Sequence, residues 1–127
     1  MNLTLDELQF FDGRGGALGL YEAFREGALG VAPDAEIQVH RTQITFRAHY
    51  GFAYVSFTPV RRAADRGPVW LTVSFGLPCQ VDSPRIDAAV EARPHRWTHH
   101  LLIDDPGQLD DELFGWIAEA AAFGRRK

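Results

Sequence analysis

Five histidines, one cysteine and a run of carboxylates are the side chains with chemical reach, and their spacing decides what they can do together. His99 and His100 are consecutive. In an extended strand they point to opposite faces, and His95 shares the His99 face but lies roughly 13 Å away at about 3.3 Å per residue. These three cannot chelate one ion. Zinc would need ligands at about 2.0–2.1 Å converging from other segments, such as His40 or His49, and the sequence offers neither a cysteine pair nor an HExxH helix. The histidines therefore imply no metal and no cofactor, with His99 at the edge of a core and His100 on a sheet face.

Asp104, Asp105, Asp110, Asp111 and Glu112 crowd the start of the last helical segment. Acids there cap free N–H groups and complement the helix dipole, whereas general acid–base work would need two of them in one pocket with separated pKa values. Cys79 follows a buried-looking strand and reads as a small buried side chain, because a catalytic thiolate needs a basic, partly exposed setting. The DGRGG stretch at 12–16 is glycine-rich like a phosphate loop, but only LQFF precedes it and no Lys-Ser/Thr pair follows. It is an entry turn. No serine sits in a GxSxG context, so the sequence carries no catalytic signature.

Arginines offer one further chemistry. Arg41, Arg47, Arg85, Arg93 and Arg96, if they converged near Tyr54 and Trp70, would make a platform for an anion or for nucleic acid, since guanidinium forks bind phosphate and aromatic rings stack bases. Solvated arginines at a sheet edge are the plainer alternative.

The elements that must position these groups follow from periodicity. Residues 3–11 form a short apolar lead-in with little regular structure. Ala17, Leu20, Tyr21, Phe24 and Ala28 fall on one helix face, with Gly30 placed as a cap and Pro33 as a stop. Strand character follows at Glu36 to His40, Thr42 to Ala48 and Phe52 to Val60, the last two joined by a hairpin in which Gly51 can take a positive φ. Ile44 and Phe46 oppose Gln43, Thr45 and Arg47, while Ala53, Val55 and Phe57 oppose Phe52, Tyr54 and Ser56. After a charged loop, Pro68 opens a fourth strand with Val69, Leu71, Val73, Phe75 and Leu77 on one side. Ser83-Pro84 suggests a short helix from Pro84 to about Ala92. A strand from Arg96 to Ile103 and a helix with Leu109, Leu113, Trp116, Ile117 and Ala120 on one face, ended by Gly124, close the chain.

This order predicts a single α+β domain over 1–127: an antiparallel sheet of about five strands with an N-terminal and a C-terminal helix packed on one face. The other face would then carry the binding surface. Arg41, Gln43, Arg47, Tyr54, Trp70, Arg85, Thr98 and His100 are its candidate residues, and two copies pairing through that face would make a homodimer.

Composition narrows the rest. With 46% hydrophobic residues and nine Phe, three Tyr and three Trp, 127 residues can bury a core without disulfides. One cysteine fits a reducing interior, and neither a basic leader nor a long apolar run is present, so the sequence reads as soluble, cytoplasmic and free of the membrane. The net charge of −4 argues against a nucleic-acid footprint spread over the whole molecule.

The runs RTQITF at 41–46, GFAYV at 51–55 and SPR at 83–85, with the His-His strand, the acidic turn and the LDDEL helix, resemble a small bacterial domain of unknown function, the family numbered 5655. The similarity extends from about Gly16 to the end. It implies a compact α+β domain, found alone or attached to other domains, with no assignable activity. Two functions are thus expected: a non-enzymatic binding or interaction module acting through the open sheet face, with a small anionic ligand or a second copy as partner, or a nucleic-acid accessory domain acting through its arginines.

Overall fold

Alternating side chains along the middle of the chain assemble one six-stranded antiparallel sheet in a computed structural model that describes residues 3–126. In chain order the elements are α1 (Leu5–Phe10), α2 (Leu18–Val31), β1 (Glu36–Val39), β2 (Gln43–Ala48), β3 (Tyr50–Ser56), β4 (Leu71–Leu77), β5 (Ala88–Arg93), β6 (Arg96–Ile103) and α3 (Asp111–Arg126). The strands lie in the order β1-β2-β3-β4-β6-β5, so the last strand inserts between the two that precede it. Among the described residues no helix is long and apolar enough to cross a membrane. The α+β class is as expected, with six strands.

Register sorts the two faces. Ile44, Val55, Val73 and Leu101 stand side by side across four strands, as do Phe46, Ala53, Phe75 and His99. All eight are buried, and α2 and α3 cover them. From α2 come Leu20, Tyr21, Phe24 and Ala28, and from α3 Leu113, Ile117, Ala120 and Ala121. Phe24 meets Phe46 edge-on at 5.4 Å, and Trp116 stacks on Phe75 at 5.7 Å. The Phe114 ring of α3 packs onto α2 at Gly27, where an added Cβ would stand 2.2 Å from it.

Several local expectations are corrected. The lead-in is a helix: Thr4 and Glu7 form a reciprocal capping box, and the TLDE run that encodes it is legible in hindsight. Glu7 also accepts from the Tyr21 hydroxyl and from Arg25 Nε at 2.8 Å, which ties α1 to α2. Burial pushes the Glu7 carboxyl up, but the Thr4 N–H, Tyr21 and Arg25 outweigh it and hold the group below the usual range.

The helix expected from Pro84 to Ala92 is instead one turn followed by β5. Ser83 takes the Arg85 and Ile86 N–H groups on its hydroxyl and carbonyl, and Asp87 Oδ2 then accepts the Leu102 N–H at 2.8 Å, which starts pairing with β6. β4 begins at Leu71 rather than Pro68. In the β2–β3 hairpin it is His49, with φ 63°, that takes the left-handed conformation, and not Gly51. α2 runs past Gly30 to Val31 and α3 past Gly124 to Arg126. Gly124 serves close approach instead, since a Cβ there would lie 3.1 Å from Phe52 Cβ and 3.3 Å from the Tyr50 carbonyl.

Phe52 itself breaks the expected alternation. Phe46 pairs with Ala53 and Arg47 with Gly51, so Phe52 is an extra residue in β3, a bulge that lets it join the core with no exposed surface.

Candidate functional site

The uncovered face of the sheet holds the row Thr45, Tyr54, Ser74, His100 and Ala88, one residue from each of five strands. A cavity of about 340 Å³ opens on it, lined by Gln43, Tyr54, Ser56, Thr58, Ser74, Thr98 and His100. Six of these seven polar side chains meet because the β-period puts every second residue of β2, β3, β4 and β6 on this side. Four are among the residues expected at the site: Gln43, Tyr54, Thr98 and His100. Ser56, Thr58 and Ser74 were missed. Ser74 was legible from the alternation of β4, whereas Thr58 lies beyond the end of β3 and is placed by tertiary structure, its carbonyl accepting from the Thr72 hydroxyl at 2.7 Å.

His100 is the most constrained member. Its Nδ1 lies 2.6 Å from Ser74 Oγ, directly across the β4–β6 ladder, and burial lowers its pKa, which favours the neutral ring. In the tautomer in which Ser74 donates to Nδ1, Nε2 carries the proton and can donate to a ligand. Tyr54 is half-buried, and burial raises the pKa of its phenol, so it stays an O–H donor. Its ring lies across Gly51, where a Cβ would meet the Tyr54 hydroxyl at 2.8 Å. Gln43 Nε2 donates to Thr45 Oγ1 at 3.2 Å, leaving its carbonyl oxygen available.

The Ser74–His100 pair invites comparison with a nucleophile and its base. No carboxylate orients the imidazole among the described residues lining the cavity, and main-chain N–H groups in the middle of a sheet are taken up by the ladder, so none stands ready for an oxyanion. Geometry here suits hydrogen-bonding recognition.

The other candidates lie elsewhere. Arg41 borders a neighbouring cavity with Phe10, Arg14 and Thr58. Arg47 turns back to donate to the His49 carbonyl at 3.0 Å, beside Asp34 and Glu36. Trp70 packs edge-on against Phe57 at 6.0 Å with Arg66 over its ring, away from Tyr54. Arg85 clamps the start of α3: its guanidinium reaches Asp110 at 2.8 Å, Glu112 at 2.9 Å and the Gln108 carbonyl at 2.7 Å. Of the five arginines considered for a platform, Arg93 and Arg96 share a cavity with Tyr54.

The remaining chemical groups lie outside the cavity. His99 is fully buried between Phe75, stacked at 4.9 Å, and the Val81 N–H, which donates to Nε2 at 2.8 Å. Burial lowers its pKa, the Phe75 backbone opposes this, and His100 adds to the depression. Nδ1 has no well-formed partner among the described residues. Asp110 caps α3 through the Leu113 N–H, and Asp105 caps the short turn before it. Cys79 corrects the expectation of burial: β4 ends at Leu77 and leaves the thiol exposed in the following turn. Among the described residues no three His, Cys, Asp or Glu side chains gather as a metal site.

Comparison with known proteins gives a family and nothing finer. Neither the curated proteins nor the solved structures hold a significant match to the chain. The model of a domain of unknown function, DUF5655, matches residues 9–123, starting within α1 rather than near Gly16 and running through nearly all of α3. The chain therefore belongs to the DUF5655 family.

Proposed function

We propose that this domain is a non-enzymatic binding module that receives a small polar ligand on its open sheet face. The observation that carries the proposal is the cavity around His100, where seven hydrogen-bonding side chains from the sheet and its margin converge with no carboxylate among them. Its volume falls within the range of about 300–1,000 Å³ typical of small-molecule sites, and its donors are placed by rigid strands. The lone, exposed Cys79 supports a reducing compartment such as the cytoplasm.

Titration of isotope-labelled protein with a panel of sugars, nucleosides and small carboxylic acids tests this by NMR. The expected result is that signals of Thr98 and the His100 ring move together, and that Ser74→Ala with His100→Ala weakens the response. A panel that leaves both residues unmoved removes the proposal. Self-association through the same face competes with it, and light scattering that reads twice the monomer mass, reversed by Tyr54→Glu, would favour the homodimer.

A further inference from the structure

We infer that the ligand of the open face carries a phosphate group, held by Arg93, Arg96 and Arg126 at the hairpin end of the sheet while its polar body occupies the cavity around His100. This rests on the open-face reading and adds the ligand's chemical class. A second cavity, of about 210 Å³, is lined by Arg93, Arg96, Trp97 and Phe123 and shares Tyr54 and Thr98 with the first. The two are therefore contiguous.

The arginines are brought there by the fold. Arg93 and Arg96 are opposite each other across the β5–β6 turn, which His95 closes at φ 61°. The guanidiniums of Arg96 and Arg126 lie 5.6 and 5.3 Å from the centre of the same Phe123 ring. Arg61, Arg62, Arg85 and Arg125 each pair with a carboxylate. Arg93, Arg96 and Arg126 pair with none among the described residues, although the chain has 17 acids, and no acid lines either cavity.

Arg96 and Arg126 share the Phe123 ring and Arg93 stands opposite Arg96, so an anion taken up between them would offset the repulsion of like charges. Forks arriving from separate segments match a tetrahedral dianion with several oxygens better than a carboxylate, which one fork satisfies. The combined space suits a monophosphate of sugar or nucleoside size, with the hydroxyl-rich cavity taking the uncharged part.

NMR titration with adenosine 5′-monophosphate, glucose 6-phosphate and inorganic phosphate, alongside adenosine, glucose and a ten-nucleotide single strand, separates the outcomes. A phosphomonoester should move signals of Arg93 and Arg96 together with Thr98 and His100, inorganic phosphate should compete, and Arg93→Gln with Arg96→Gln should weaken binding at least about tenfold while the folded spectrum persists. Adenosine or glucose binding as tightly as its phosphate, indifferent to the arginine variants, overturns the phosphate and leaves the open-face reading standing. Phosphates that move only the arginine signals overturn the joint site. Binding of the single strand with silent mononucleotides replaces it with a nucleic-acid surface, and silence from every probe removes both readings.

Discussion

His99 and His100 are neighbours in sequence, and the sheet gives them opposite lives. His99 is sealed beneath the helices, stacked on Phe75, with one nitrogen held by the Val81 N–H and the other without a hydrogen-bond partner among the described residues. His100 stands on the open face with Ser74 on Nδ1, and its Nε2 has no hydrogen-bond partner among the described residues. One face spends its side chains on packing and the other keeps its hydrogen-bonding capacity for something outside. The difference comes from the strand period alone, since both are histidines of lowered pKa on one strand.

Mutations should break this contrast in a definite order. Phe75→Ala, on the covered face under Trp116, should cost about 3–5 kcal/mol in urea unfolding, and a loss below 1 kcal/mol would show that the helices do not seal that face. Gly27→Ala comes next. Its Cβ collides with the Phe114 ring, and displacing that ring should make it cost about 1–3 kcal/mol, against the gain of about 1 kcal/mol that alanine gives in an open helix.

Acid should then reveal the buried imidazole. A lowered folded-state pKa means that the unfolded chain takes up the proton first, so stability is full above the ordinary histidine value of about 6.5 and declines as pH falls below it. Unfolding midpoints at pH 7.5 and 5.5, above the range in which Glu7 protonates, should differ, and His99→Gln should remove the larger part of the difference. A slope that instead follows His100→Gln would reverse the assignment. Smallest of all, Ser74→Ala should cost about 1 kcal/mol, the worth of its bond to His100, and should raise exchange broadening of the His100 ring signals.

The same contrast shows what could be seen in the letters. Opposite faces for His99 and His100, the grouping of Gln43, Tyr54, Thr98 and His100, and the capping role of Asp110 follow from local periodicity and were legible. Phe52 was not, because a bulge is decided by how β3 meets β2 and by the close approach that Gly124 allows. Nor was β5: Ser83-Pro84 satisfies the local rule for a helix start, and only the pairing of Asp87 with Leu102 and Arg61 draws the chain out into a strand. Arg85 and Trp70 were misplaced for one reason, since each lies in a connection whose path is set by tertiary contacts.

Strand order has a temporal consequence. As the chain emerges from the ribosome, β1 through β4 can zip together by successive hairpins, but β5 has no neighbour until β6 is made, and β4 has no second neighbour until β6 docks beside it. Until then the margin of β4 stays bare, and the nascent domain is open to stray pairing with other strands. A chain stopped near residue 95 should accordingly aggregate, and one that includes β6 and α3 should not, because β6 then covers the edge of β4.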